Sequence, residues 1–406
     1  MKNPLDIESQ MTHMVEVSIR GYGDPGVDAA RKSACPVHMY AGLLAANPSR
    51  DLGDGYYALQ SMADIQFATR HQAVLQGSVF LGSDRAAIPL GLDGEEHRRY
   101  RHLLDPIFTA KAVAPLADSV RALAGDLIDG FLAGGRVEAW DHWCEPLPAT
   151  IFLAIMGLPM EDRDDFIRFK NVTLSTGDLS LTADERMARR MEGVMWIHSY
   201  FNRNLDEREA EAEPRGDIIG QLLTAEVDGH RLTRQDVLDI LGLFMIAGLD
   251  TVASALACFL SYFARHPEMR RRVDADRSLI RPAIEELMRF ESPVVEGYRI
   301  TVDDLTLPSG VEIPAGSFMH ISWSAANIDP TVFDDPLTVN LDRSPNPHIG
   351  FASGYHRCLG SHLARMEMAT ALDVWFDRIP EFGIEFDQEL EYTGNPRAPH
   401  HLPIVW

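Results

Sequence analysis

Four cysteines, Cys35, Cys144, Cys258 and Cys358, are scattered through 406 residues, and only Cys358 lies in a setting that could make its sulfur reactive. The run Phe351-Ala-Ser-Gly354-Tyr-His356-Arg-Cys358-Leu-Gly360-Ser-His-Leu-Ala-Arg365 carries this cysteine out of a glycine-containing loop to the start of a helix. Unpaired N–H groups and the dipole at a helix start favour a thiolate over a thiol. Gly354 and Gly360 would let a flat ligand approach the backbone. His356 and Arg357 add possible cationic partners. The competing reading of such a loop is a buried structural cysteine. A second chemical feature interrupts an apolar run: Leu241-Gly-Leu-Phe-Met-Ile-Ala-Gly-Leu249 is followed by Asp250-Thr251. An acid and an alcohol are costly in an apolar core unless partnered. Thr251 can hydrogen-bond the carbonyl of Ala247 and distort the helix locally; a plain kink with a satisfied threonine is the alternative. Glu286 and Arg289 form an i,i+3 pair of opposite charge, and His97 and Arg101, four apart, share one helical face. Taken alone, either pair, or Arg299 by itself, reads as ordinary surface charge.

The elements that must hold these residues are mostly helical. Up to about residue 290 the sequence reads as helices separated by short polar breaks. Between about 293 and 350 it is rich in Pro, Gly and β-branched residues, with short strands expected at Ile300-Thr301-Val302 and Val311-Glu312-Ile313 around the turn Pro308-Ser309-Gly310. Ala58 to Phe67 and onward to Phe80 is expected to add a strand or two, and helix resumes from about Gly360 to Phe376. The longest helix is expected from Thr233, capped three residues on by Asp236, to the stop at His266-Pro267. That is roughly 33 residues, or about 50 Å. It is apolar all round at its centre and so should be buried. The fold class is mainly α with a minor β region.

Composition narrows the role. With 37 Lys+Arg against 60 Asp+Glu, the formal net charge is −23, which argues against nucleic-acid binding. No CxxC pair suggests a disulfide framework, so a reducing cytoplasm fits. The N-terminal Met1-Lys2-Asn3-Pro4-Leu5-Asp6 lacks an apolar run of signal length, and no uncharged stretch of membrane-spanning length is evident. A soluble, cytoplasmic protein is expected.

Taken together, these motifs resemble those of the cytochrome P450 family, and the resemblance extends over most of the chain. Phe-x-x-Gly-x-His-x-Cys-x-Gly, here Phe351 to Gly360, is similar to the family's haem-binding loop, which implies haem b (iron protoporphyrin IX) with Cys358 as axial thiolate. Ala352 departs from the pattern, standing where the family usually has Gly. Ala247-Gly248-Leu249-Asp250-Thr251 resembles the oxygen-activation motif, implying that Asp250 and Thr251 sustain proton delivery. Glu286-Leu-Met-Arg289 resembles the structural ExxR pair, with Arg343 at the position of its third member. His97 and Arg101 resemble the HxxxR pair that binds haem propionates, and Arg299 and His356 occupy two further propionate-binding positions. The resemblance implies a single cytochrome P450 domain over residues 1–406, with β-containing parts near 55–80 and 293–350, and haem held between the long central helix and the Cys-bearing loop-helix.

The implied reaction is insertion of one oxygen atom from O2 into a C–H bond, with electrons supplied from outside. No flavin or iron–sulfur domain fits in the remaining chain, so a [2Fe-2S]-type ferredoxin with its reductase is the expected donor. Arg98, Arg99, Arg357 and Arg365 are expected to form its docking face. Leu243, Phe244, Val294 and Val295, with part of Ser83–Leu92, should line an apolar pocket for a hydrophobic small molecule. Terpenoids, fatty acids and steroids all suit it, with a terpenoid or branched lipid first. Phe166–Leu181 resembles the family's variable lid, whose Phe166, Phe169, Val172 and Leu174 either reach substrate or belong to the core. A monomer is expected. Two alternatives stand beside this reading. One is a peroxide-driven peroxygenase, which Asp250-Thr251 disfavours; the other is a haem-binding sensor or carrier without turnover.

Overall fold

The structure is a computed structural model that describes residues 29–30, 32–33, 36–76, 85–174, 182–385, 389–394 and 396–406. Cys35, Ser83 and Asp84 of the expected pocket segment, and 175–181 of the expected lid lie outside these residues. Seven helices matter for the site: α1 (Gly94–Leu104), α2 (Pro146–Met156), α3 (Arg163–Leu174), α4 (Ala183–Glu209), α5 (Arg234–Arg265), α6 (Ile280–Phe290) and α7 (Ser361–Arg378).

α5 is the axis of the molecule. Its N-terminus is closed reciprocally: the Thr233 hydroxyl accepts from the Asp236 N–H at 3.2 Å, and the Asp236 carboxylate accepts from the Thr233 N–H at 3.0 Å. It ends at Arg265, where His266-Pro267 begins another helix, as expected. By length and composition this helix could cross a membrane. Here its apolar residues, including Leu241, Met245, Leu256, Phe259 and Leu260, are buried against the protein's own helices. α5 packs on α2, α3, α4 and α7, and α7 packs in turn on α6. Near its C-terminal end α5 joins α7 in one apolar cluster around Phe263, Trp375 and Phe376. Near its N-terminal half it meets α2 and α4 in a second, around Phe152, Phe166 and Phe201.

The minor β region is built mainly on one five-stranded sheet of β1 (Ser49–Gly53), β2 (Tyr56–Leu59), β3 (Val74–Leu75), β4 (Glu296–Thr301) and β5 (Phe318–Ser322), ordered β1-β2-β5-β4-β3. β5 runs parallel to β2 and antiparallel to β4, with Met319 opposite Arg299. Several local expectations shift. The segment after Ala58 is a strand only to Leu59. Met62–Ala68 is instead a helix, because Ser61 caps it by accepting from the Asp64 N–H. Pro308-Ser309-Gly310 does turn a hairpin, but its strands are Leu305–Thr306 and Glu312–Ile313. The Ile300-Thr301 stretch belongs to β4, whose pairing with β5 places the Arg299 side chain beside the cavity described next.

Candidate functional site

Two helical stripes face one another across a cavity of about 340 Å³. From α5 come Leu243, Phe244, Ala247, Gly248, Thr251, Val252 and Ala255. From the Cys358 loop and α7 come Cys358, Gly360, Leu363, Ala364, Glu367 and Met368. Both sets recur at three and four residues, so each is one face of a helix. Pro89, Leu90, Pro148, Phe152, Val294 and Trp323 close the sides. A larger surface groove of about 760 Å³ lies elsewhere, between Val37–Ala46 and the segment 328–338. It brings no comparable chemistry together: its buried carboxylates Asp64 and Asp329 already accept from Ser49 Oγ, the Ser309 N–H and the Met62 N–H, and Asp335 is exposed.

The Cys358 loop is held by its own backbone. The Cys358 N–H donates to the Phe351 carbonyl at 2.9 Å, and the Ala352 N–H to the Ile349 carbonyl at 2.9 Å. Ala352 takes a left-handed φ of 59°, a glycine conformation carried by an alanine. Gly354 has φ 75°, and a Cβ there would lie 2.0 Å from the Thr69 carbonyl oxygen, so only glycine fits. The Cys358 sulfur opens onto the cavity, while protein encloses it beyond. That enclosure decides its protonation: burial pushes the thiol up, against the Gly360 N–H and the charges of Arg101, Arg357 and Arg365. The helix start and the neighbouring arginines act against that burial and favour the thiolate.

Beside the sulfur lies a cluster of donors with too few acceptors. His97 and His356 stack with ring centroids 4.1 Å apart. His356 Nε2 meets Asp93 at 2.9 Å, whereas its Nδ1 is buried without a partner. The Arg299 side chain is 4% exposed, and its guanidinium donates to the Tyr298 carbonyl and lies over Trp323. Burial lowers Arg299 to about 10. Burial, with the positive charges of His356 and Arg101, lowers His97 to about 4. His356 is lowered too, again chiefly by burial. Burial thus disfavours the charged form of both imidazoles. Arg101 also bonds Asp105 and the Arg357 carbonyl, tying α1 to the cysteine loop. A buried guanidinium with no ion pair among the described residues is costly. An orphaned imidazole nitrogen and a buried arginine are what two ligand carboxylates would satisfy, so this donor set fits haem propionates. The apolar helical stripes on either side fit a flat macrocycle.

Across the cavity, the Thr251 hydroxyl donates to the Ala247 carbonyl at 2.9 Å, the back-bond that its position suggested. Asp250 turns the other way. Its carboxylate accepts from Lys170 Nζ at 2.9 Å, and Lys170 also donates to Glu145 at 2.8 Å. Burial acts to lower the Lys170 ammonium, but Asp250 and Glu145 outweigh it and hold it charged. Asp250 is therefore the outer member of the pair and Thr251 the inner one, facing the cavity.

Glu286, Arg289 and Arg343 do come together, buried between α6 and the segment preceding the cysteine loop. Glu286 accepts from Arg289 at 2.7 and 2.9 Å and from Arg343 at 3.1 Å. Other expected residues are placed as follows. Val295, in the loop before β4, packs away from the cavity with Val37 and Tyr40. Phe166 is fully buried in the core, and Phe169 stacks on Trp196 at 3.9 Å, so neither reaches the cavity. Arg365 is bound to Glu285 at 2.6 and 2.8 Å and lies over the Phe351 ring, which makes it a brace of the loop. Arg98 is paired with Glu95, and Arg99 with Asp228. The uncommitted charges near the loop are Arg357 and Arg70. Both line a surface groove with the exposed Tyr355, and neither has an ion pair among the described residues. Sequence reasoning did not single out Lys170, Glu145, Asp93, Trp323 or Glu367. For Glu367 a signal existed: it is the one charge in the stripe Gly360, Leu363, Ala364, Glu367, Met368.

Comparison with known proteins agrees with this geometry. The sequence profile named Cytochrome P450 matches residues 168–378. The chain is 32% identical to cyclomarin C epoxidase CymV of Salinispora arenicola, over 88% of this chain and 89% of that protein. It is 31% identical to a methyl-branched lipid omega-hydroxylase of Mycobacterium bovis, over 87% of this chain and 85% of that one. Among solved structures, a myxobacterial cytochrome P450 in complex with myristic acid superposes with a TM-score of 0.82 at 29% identity, covering 92% of this chain and 96% of that chain.

Proposed function

The chain belongs to the cytochrome P450 family, whose relatives here are monooxygenases, and from that premise we propose that it is a ferredoxin-dependent hydroxylase of a hydrophobic small molecule with haem held at Cys358. A single domain over residues 1–406 is part of this reading. One observation carries it: a sulfur opening onto an apolar cavity, with the back-bonded Thr251 hydroxyl on the facing stripe and a surplus of buried donors at the edge. Haem bound through a thiolate would supply the redox chemistry that divides O2 and places one oxygen atom on a C–H bond.

The residues of this chain do the rest. Cys358 would ligate iron as its thiolate, and Arg299, Arg101, His97 and His356 would hold the propionates by hydrogen bonds and charge. Phe351 and Gly360 would line the Cys358 side of the group, and Ala247 and Gly248 the α5 side. Thr251 presents its hydroxyl to the cavity, and Asp250 carries protons inward from the Lys170 side. Leu243, Phe244, Val294, Leu90 and Phe152 exclude water and bring no charge to the substrate end. A neutral, apolar substrate follows, with a terpenoid or branched lipid first; the relative named for methyl-branched lipids supports that choice.

For the electron donor, the groove of Arg70, Tyr355 and Arg357 is the better docking face than Arg98 and Arg99, whose charges are already paired. Charge reversal at Arg70 and Arg357 should slow ferredoxin-supported turnover in a salt-dependent way, while reversal at Arg98 leaves it unchanged. The reading as a whole is tested on the purified protein. It should be red, and its reduced CO complex should show the red-shifted Soret band of thiolate-ligated haem. A colourless, folded preparation after haem-supplemented expression overturns it. Apolar ligands that drive a low-spin to high-spin shift would then identify the substrate.

A further inference from the structure

A second, small cavity of about 20 Å³ lies along α5 beside the large one. Gly242 and Ile246 line the small cavity, while Leu243 and Ala247, each the next residue on, line the large one. Val194 and Ile197 of α4 close its apolar side. Its polar side is made by Asp239 of α5, His198 of α4 and Arg85. Asp239 and Leu243 are four residues apart and so neighbours on the helix surface, which sets the small cavity against the wall of the large one. Gly242, three residues on from Asp239, adds no side chain and leaves the space beside the carboxylate open.

Asp239 is short of a donor. Its side chain is 4% exposed. Asp236 already caps α5, so the helix start does not need it. Its Oδ1 accepts from Gln235 Nε2 at 2.8 Å. Its Oδ2 lies 3.2 Å from Arg85 Nε but off the N–H direction, and among the described residues it accepts no hydrogen bond. Arg85 directs its hydrogen bond to Asp236 instead. Burial raises the Asp239 carboxyl above its ordinary value, against the opposing effects of Gln235, Arg85 and His198. A buried carboxylate oxygen without a donor costs free energy until one arrives.

The cavity narrows what that donor is. Its volume of about 20 Å³ exceeds the roughly 10–15 Å³ that one water requires, so it takes a single water-sized group. An acceptor oxygen selects a donor. A ligand carboxylate would be repelled by Asp239 and Asp236, and an ammonium would stand beside the Arg85 guanidinium. A hydroxyl meets neither penalty. Asp239 precedes Thr251 by twelve residues, about 18 Å along the helix axis. The wall between them, Leu243, Ile246 and Ala247, is apolar. We propose that Asp239 and the small cavity form a hydroxyl subsite: the substrate is an elongated apolar alcohol, held by its hydroxyl at Asp239 and oxidised toward its opposite end, beside Thr251. His198, on the same wall, supplies a second ring nitrogen to that hydroxyl. The proposal rests on the hydroxylase reading above and deepens its substrate class.

The test uses the ferric holoenzyme and three ligands of one branched skeleton, phytanol, phytane and phytanic acid, each titrated by its low-spin to high-spin shift. Phytanol should bind about 10-fold more tightly than phytane, the low end for one hydrogen bond to a charged group, and more tightly than phytanic acid. Asp239→Leu removes the acceptor at similar volume, so it should erase the preference for phytanol and leave phytane affinity unchanged. Asp239→Asn keeps an acceptor and the shape of the acid; it should retain part of the preference, and it covers a failure of the Leu variant to fold. A second arm maps the products of phytanol. Wild type should place the new oxygen near the end remote from the hydroxyl, and Asp239→Leu should spread it over several positions. A haem-loaded protein that binds phytanol no better than phytane, responds to none of the three, or keeps its preference in Asp239→Leu overturns the proposal and leaves the haem-thiolate reading intact. A protein without haem would instead overturn that earlier reading.

Discussion

Replacing Glu286 by Gln should empty the haem site without touching a residue that lines it. Glu286 is 1% exposed and gathers five donors: Arg289 Nε and Nη2, Arg343 Nε, the Asn340 N–H and Asn346 Nδ2, at 2.7 to 3.1 Å. Arg289, itself fully buried, reaches on to the carbonyls of Asn327, Pro336 and Thr338. Asn327 in turn accepts from the Ile349 N–H at 2.7 Å, two residues before Phe351 of the cysteine loop. The loop thus hangs from the Glu286 carboxylate through one chain of short hydrogen bonds. The Gln amide removes the negative charge and turns an NH2 toward guanidinium donors. Two arginines are left buried without a counterion, at a cost of about 3–5 kcal/mol. That compares with about 5–15 kcal/mol for the total stability of a typical domain. A chain of this length is not expected to unfold in one step, so local readouts are preferable to a melting temperature. The assay is the ratio of Soret to protein absorbance, together with amide hydrogen exchange over residues 336–358. Both should change severely: little haem retained, and exchange accelerated in that segment. Glu285→Gln is the control. Its carboxylate is one-third exposed and pairs with Arg365 and His348, so its loss should cost about 1 kcal/mol or less. If Glu286→Gln keeps wild-type haem content and exchange, the carboxylate does not support the loop and the reasoning fails.

Three further outcomes follow from the same geometry. Ala352→Gly relieves a left-handed alanine, a gain of about 1–2 kcal/mol, against about 0.5–1 kcal/mol of added chain entropy; a small rise in the urea midpoint is expected, and a fall would show that the Ala352 methyl contacts matter more. Lys170→Met leaves Glu145 and Asp250 facing one another without their cation, so chemical denaturation should show a loss of about 3 kcal/mol, partly restored by adding Asp250→Asn; no loss would mean the ion pair is idle in the fold. In the apoprotein, His97 is held neutral down to about 4, whereas the unfolded chain protonates near its ordinary value. The unfolded state then binds more protons between these values, so stability falls as pH drops through the window, by about 2 kcal/mol after allowance for screening. His97→Phe should flatten that slope, and an equally steep slope in the variant would refute the assignment.

Much of this protein was legible before any coordinates. The length and caps of α5 follow from Thr233, Asp236 and His266-Pro267, because helix ends are fixed by local hydrogen bonding. The Thr251 back-bond to Ala247 is likewise local, an i to i−4 contact that any helix permits. Spacing alone joined Glu286 to Arg289 and His97 to Arg101. What spacing could not supply is the environment. Whether Cys358 is a thiolate depends on the balance of burial against the Gly360 N–H and the nearby arginines, which only the packing sets. Whether Arg98, Arg99 and Arg365 are free charges depends on Glu95, Asp228 and Glu285, two of them distant in sequence. The direction of Asp250 depends on Lys170, eighty residues away. The sequence by itself determined which residues could carry the chemistry and which helices would present them, since these rest on local periodicity and capping. Tertiary structure alone decided their charge, their partners and the side they face, since desolvation and ion pairing are set by whatever the rest of the chain packs against them.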